Sequence, residues 1–159
     1  MSIPKLGIIG GGQLGSLLSV AAKSLSVETV ILTDDSNSPA KNFSKNFICG
    51  NYEDESLINE FINKVDLVTF EFENIPYEIL KNINKFKPVL PNPEVNKLIQ
   101  NRYTEKDFLN KIGIRTTQYT LIKNRDEIKF NENLIPGILK TCTLGYDGKG
   151  QFKINSIKD

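Results

Sequence analysis

The sequence contains no histidine in its 159 residues. That absence removes Ser-His triads, His-ligated zinc and imidazole acid–base catalysis from the chain's own repertoire. Cysteine is scarce. Cys49 and Cys142 lie far apart and match no metal-ligand spacing, so they read as buried thiols in a reducing cytoplasm. Neither sign of charge is in excess: 20 basic and 19 acidic side chains leave a net charge of +1, with no clustered basic footprint for nucleic acid. No apolar run approaches the roughly 20 residues that cross a bilayer. The first residues, Met1 to Gly7, lead straight into a strand and lack the charged and apolar regions of a signal peptide. What is present is ordinary for a soluble globular protein, 39% apolar and 25% charged, and long enough for one domain or one and part of a second.

The order of patterns is informative. Lys5 to Ile9 is a short apolar run ending in glycines, as in a strand buried on both faces of a parallel sheet. Leu14, Leu17, Leu18, Ala21, Ala22 and Leu25 then recur at helical spacing. Val27 to Leu32 and Asn46 to Cys49 read as further strands, with a short helix or turn at Pro39 to Phe43 between them. Asp54 caps a helix that turns Leu57, Ile58, Phe61 and Ile62 inward. Val65 to Phe70 is a fourth strand, Pro76 opens a helix through Ile83, and Pro88 to Pro91 is a short fifth strand. This alternation argues for a parallel α/β sheet. After Pro93 the text changes. Glu94 to Leu109 is helical, in two pieces joined near Gln100 and Asn101, followed by a strand at Gln118 to Ile122 and a short polar helix near Asn124 to Lys129. The domain boundary falls between residues 93 and 102, giving a first domain of residues 1–95 and a second of 96–159.

The strongest chemical signal lies late. Ile138 and Leu139 deliver Lys140, and glycines follow at 145, 148 and 150 before a strand-like run from Gln151 to Ile154. Glycines let a backbone approach a ligand closely, and successive bare amides form a nest for anionic oxygens. Lys140 and Lys149 add point charges suited to polyphosphate. This is the opening of a nucleotide-binding lobe.

An earlier loop, Gly10 to Gly15, satisfies G-x-G-x-x-G, with Asp34 and Asp35 at the end of the second strand. Such a loop holds a dinucleotide pyrophosphate, holds another phosphate ester, or merely packs strand on helix. Phe70 to Asn74 sets two carboxylates and an amide at the end of the fourth strand, where strand alternation puts Glu71 and Glu73 on one face. Ligand contact stands beside the simpler reading of a solvated strand end on which Asn74 caps the next helix. Arg102 reads alone as a solvated helical arginine.

Taken in order, these stretches resemble the 5-(carboxyamino)imidazole ribonucleotide synthase family of ATP-grasp enzymes. The carriers are Gly10 to Gly15, Thr69 to Pro76, Asn101-Arg102 with Glu105-Lys106 and Phe108-Leu109, Gly113 to Thr116, Leu139 to Thr141, and Gly145 to Gln151. The resemblance spans nearly the whole chain, and Leu144 departs from it where Gly or Arg is frequent. It implies a Rossmann-like pre-ATP-grasp domain followed by the beginning of an ATP-grasp lobe. The C-terminal lobe that carries magnesium ligands in the family has no counterpart in the sequence, so the chain is expected to be a fragment, inactive alone.

The implied reaction joins bicarbonate to 5-aminoimidazole ribonucleotide through carboxyphosphate, giving the carbamate, ADP and phosphate in purine biosynthesis. The protein's part is positioning and charge stabilisation. By resemblance, ATP belongs to Arg102, Lys140, Gly145, Tyr146, Asp147, Gly148, Lys149, Gly150 and Gln151, the last seven forming a closing loop. The ribonucleotide belongs to Gln13, Leu14, Glu73, Tyr146 and Asp147, with Asp34 or Asp35 as weaker choices. No metal ligand and no catalytic residue is assigned within this sequence. A cytoplasmic homodimer with neither nucleic-acid nor membrane partner is expected. A nicotinamide-dependent dehydrogenase and a non-catalytic dimerisation module stand as alternatives.

Overall fold

The computed structural model describes residues 3–145 and 148–159. They form two compact units that divide after Lys97.

The first unit is a four-stranded parallel sheet in the order β3-β2-β1-β4, built from β1 (Lys5–Ile9), β2 (Glu28–Thr33), β3 (Asn46–Cys49) and β4 (Leu67–Phe70). Ile8 pairs with Ile31 on one side and Thr69 on the other. Alternation splits the apolar residues between two faces. On one face Ile9, Val30, Leu32 and Val68 pack with Ile58, Phe61 and Ile62 of α2 (Glu55–Asn63) and Leu80 and Ile83 of α3 (Tyr77–Ile83). Asp54 caps α2 by accepting the amides of Ser56 and Leu57. Among the described residues the apolar cluster of the other face is Ile8, Ile31 and Ala40, with Leu6 and Phe47 against them.

That second face is covered by α1 (Gln13–Ser24), which buries small residues: Gly15, Ser16, Ser19 and Ala22. A Cβ on Gly15 would stand 2.7 Å from the Gly10 carbonyl oxygen, so the helix sits close to the strand end. Ser16 and Ser19 are buried at little cost because each hydroxyl bonds the carbonyl four residues back. The leucines of the helical pattern therefore face outward, Leu17 at 57% and Leu25 at 76% exposure.

Five further expectations are corrected. Pro88 to Pro91 forms a single bridge, Val89 to Val68, and no strand, since prolines on both sides remove ladder donors. β4 stops at Phe70, so Glu71 and Glu73 do not share a strand face: Glu71 turns to the first glycine loop, while Glu73 lies exposed in a turn. Asn74 donates to Glu73 and caps nothing; Pro76 holds the N-cap position of α3. Cys49 ends the edge strand β3 and is exposed, and Cys142 is half-buried, so neither is a buried thiol. Gln118 to Ile122 takes no regular secondary structure and joins no sheet, having no partner strand among the described residues.

α4 (Pro93–Ile99) crosses the division between the units. The second unit holds α5 (Arg102–Lys111), a 3-10 segment at Arg125–Leu134, and an antiparallel pair of β5 (Gly137–Lys140) and β6 (Gln151–Ile154). None of its described residues is buried.

Candidate functional site

In the first unit the sheet order reverses at β1, whose neighbours are β2 and β4. Ligands of open parallel sheets sit beyond the strand ends at such a switch point. The loop after β1 begins at Gly10, whose φ of +102° suits glycine. Ile9 pairs with Phe70, so the next residue of β4's chain, Glu71, lies beside that loop. Its Oε1 accepts the Gly12 amide at 2.9 Å, and a Cβ on Gly10 would collide with the same oxygen at 2.7 Å. The fingerprint glycines make room for this side chain.

Around it lie Thr33 and Ser38, whose hydroxyls are 3.1 Å apart, and the buried Tyr52. Burial, then the Asp34 carboxylate, pushes the Tyr52 phenol up to about 12, against hydrogen bonds to the Asp34 backbone and the Thr33 hydroxyl. No lysine or arginine makes an ion pair with Asp34, Asp35 or Glu71 among the described residues. Among the described residues this strand end gathers carboxylate and hydroxyl acceptors with no cation paired to them, which suits sugar hydroxyls or an amine better than a pyrophosphate. Gln13 and Leu14 open α1, where first-turn amides lack intrahelical acceptors; both side chains are exposed. Asn96, wholly buried, donates from Nδ2 to the Ile75 carbonyl at 3.0 Å and braces the turn that carries Glu73.

In the second unit Lys140 ends β5 and pairs with Gln151 of β6. The intervening loop is closed at its base by the Thr141 amide donating to the Gly150 carbonyl at 2.8 Å. Gly148 and Gly150 take φ of +80° and +67°, and Leu144 takes +61° without being glycine. Tyr146 and Asp147 lie outside the described residues. Arg102, first in α5, points its guanidinium at the Thr141 and Gly145 carbonyls. A cavity of ≈ 630 Å³ opens against the hairpin. Ile122, Ile128, Leu139 and Phe152 give it an apolar wall, and Lys123, Arg125 and Lys140 give it cationic ones. An apolar wall with a few polar anchors is the usual make-up of a small-molecule site. Lys149 and Gln151 are exposed, and Gln151 lines the cavity. Among the described residues no group of three or more His, Cys, Asp or Glu side chains is placed to hold magnesium, so the residues present do not fit that ion.

The sequence pattern favours Glu73 over Glu71 and carries no mark of Tyr52. The register of β1 with β4 holds the signal for Glu71; nothing local marks Asn96.

A parallel sheet with a switch point, followed in the chain by a lysine-bearing glycine hairpin, is the class of architecture that the fold defines. The chain belongs to the ribonucleotide synthetase preATP-grasp domain family, matched over residues 3–100, with an ATP-grasp domain matched over 107–159. It is 37% identical over 156 residues to the N5-carboxyaminoimidazole ribonucleotide synthase of Brucella melitensis, covering 97% of this chain and 43% of that protein. The Staphylococcus aureus N5-carboxyaminoimidazole synthetase complexed with ADP superimposes with a TM-score of 0.92 at 33% identity, covering all of this chain and 43% of the other. The Aspergillus clavatus synthase in complex with ADP and 5-aminoimidazole ribonucleotide gives 0.83 at 26% identity, covering 98% and 42%. The chain thus spans less than half the length of the relatives it matches.

Proposed function

We propose that the protein carrying this chain is an ATP-dependent carbon–nitrogen ligase that carboxylates 5-aminoimidazole ribonucleotide with bicarbonate, releasing ADP and phosphate in purine synthesis. The observation that carries this reading is the Lys140–Gln151 hairpin loop, braced by Arg102 over a cavity with apolar and cationic walls. The ADP complex of a relative 33% identical supports the same assignment. In this reading ATP is bound by Lys140, Gly145 and Gly148 to Gln151, with Tyr146 and Asp147 completing the loop, and Arg102 serves the nucleotide by holding that loop. The γ-phosphoryl group passes to a bicarbonate oxygen. The carbon then bonds to the exocyclic amine of the ribonucleotide, the amine gives up a proton and phosphate leaves. Lys140 offsets charge on the phosphates, and the loop excludes water from the acyl phosphate.

The ribonucleotide lies at the first unit's switch point, on the Gln13 and Leu14 amides and on Glu73, with Glu71 joining them as the residue that shapes the loop. The Glu71 carboxylate at Gly12 disfavours a dinucleotide pyrophosphate in the same place, which weighs against the dehydrogenase alternative.

We also infer a homodimer in a reducing cytoplasm. The exposed face of α1, with Leu14, Leu17, Leu18, Val20 and Ala21 and only Lys23 charged, supports a partnered surface. Light scattering of a Leu17→Glu variant tests this part: a dimer that becomes monomeric supports it, and a wild-type monomer sinks it.

For the reaction, a polypeptide of the relatives' length that carries this sequence should form ADP only when bicarbonate and aminoimidazole ribonucleotide are both supplied. ADP formation indifferent to either would overturn the proposal.

A further inference from the structure

One side chain imposes a backbone polarity on the loop between β5 and β6. Arg102 donates from Nη1 to the Thr141 carbonyl at 3.2 Å and from Nη2 to the Gly145 carbonyl. Its backbone amide donates to the Cys142 carbonyl at 2.9 Å. Three carbonyls of one loop thus converge on the first residue of α5. In a planar trans peptide the next N–H points opposite to its C=O. The amides of Cys142 and Thr143 therefore face away from Arg102, and neither donates to another described residue. The α5 terminus itself has little left to offer a ligand, since Asn101 accepts the Tyr103 and Thr104 amides with its side chain and the Glu105 amide with its carbonyl.

The loop has little room for another arrangement. A Cβ on Gly150 would stand 2.6 Å from Thr141 Oγ1, and one on Gly145 would meet the Lys149 carbonyl oxygen at 2.8 Å and Thr141 Oγ1 at 2.9 Å. A guanidinium fork reaches two carbonyls at fixed separation, which an ammonium on a flexible stem does not reproduce.

We propose that Arg102 is the positioning residue of this loop. By gathering the carbonyls of Thr141, Cys142 and Gly145 on one side, it turns the amides of Cys142 and Thr143 outward as donors to a phosphate chain beside Lys140. The ligand rests on the nucleotide reading above; the latch does not, because it forms without one.

Amide-resolved hydrogen exchange and ¹⁵N spectra of the 159-residue chain test this, using wild type, Arg102→Ala and Arg102→Lys, without nucleotide and with sodium triphosphate as the probe. The Thr141 amide, bonded to the Gly150 carbonyl, reports the loop, and the Glu105 amide reports α5. Losing two bonds from a charged donor should speed Thr141 exchange about tenfold in Arg102→Ala while Glu105 stays unchanged, with Arg102→Lys in between. Triphosphate should shift the Cys142 and Thr143 resonances in wild type, and Arg102→Ala should need about tenfold more probe. Equal Thr141 exchange in all three proteins overturns the latch, and unmoved Cys142 and Thr143 resonances overturn the donor role. If Arg102→Ala also loses Glu105 protection, Arg102→Lys decides: Thr141 exchange equal to wild type contradicts the proposal. An ATP titration separates the two readings. Arg102-dependent protection with no ATP-induced shift removes the nucleotide assignment alone, and ATP binding with indifferent Thr141 exchange removes the latch alone.

Discussion

The Glu71 carboxylate accepts the backbone amide of Gly12 at 2.9 Å, tying the end of β4 to the loop after β1 across 59 positions of sequence. A charged acceptor lost from a part-buried amide costs about 1–3 kcal/mol. Glu71→Ala should therefore lower the melting temperature of the first unit by roughly 4–8 °C for each kcal/mol lost, and Glu71→Gln, which keeps an acceptor, by less than half as much. A melting temperature unchanged in Glu71→Ala would show that the loop stands without it. NADH fluorescence should stay flat on titration with wild type, since the amide a pyrophosphate would take is already committed.

Asn96 is a second brace for the same strand end. Its Nδ2 serves the Ile75 carbonyl, while its buried Oδ1 finds no hydrogen-bond partner among the described residues. Asn96→Ala should cost about 1–3 kcal/mol in urea unfolding. Asn96→Asp should cost more, because it sets an acceptor against a carbonyl and buries a charge. Its deficit should grow as pH rises and the carboxyl ionises; a deficit that shrinks instead would contradict this placement.

Asp54 gives α2 a pH-dependent cap. The Ser56 hydroxyl, then the Leu57 and Ser56 amides, hold its carboxyl below the usual carboxylate range. A lowered folded pKa means that the contribution is present above the unfolded value and is lost as pH falls through the folded one. Thermal melts of wild type and Asp54→Asn from pH 6 to pH 3 should show the wild-type advantage shrinking with acid. An advantage that persists unchanged at pH 3 would refute the assignment.

The two thiols make a built-in probe. Cys49 is exposed and Cys142 half-buried in the hairpin loop, so a disulfide reagent should modify Cys49 first. Saturating ATP should slow Cys142 severalfold in a polypeptide of the relatives' length and leave Cys49 unchanged. Equal slowing at both would point to a global effect rather than ligand contact.

Much of this fold was legible in sequence, because parallel strands buried on two faces announce themselves as apolar runs. Lys5–Ile9, the Asp54 cap, and the break between α4 and α5 at Gln100 and Asn101 all follow from local chemistry. What stayed hidden depends on partners. Periodicity marks the Leu14–Leu25 stripe but does not say which side meets the sheet. The helix docks by Gly15, Ser16, Ser19 and Ala22, whose serines satisfy themselves. Glu71 became visible only through the Ile9–Phe70 register. Gln118 to Ile122 has strand composition, yet composition supplies no neighbour for its ladder. The second glycine loop was legible as a turn between two strands, whereas the carbonyl grip of Arg102 on it was not.

Lys140 at the mouth of a phosphate-gripping loop is the central claim, and an ATP analogue carrying a reactive acyl phosphate tests it most directly. Applied to a polypeptide of the relatives' length that carries this sequence, the reagent should acylate Lys140 before other lysines, and excess ATP should block that labelling. Lys140 left unmodified, or labelled equally with and without ATP, would contradict the account.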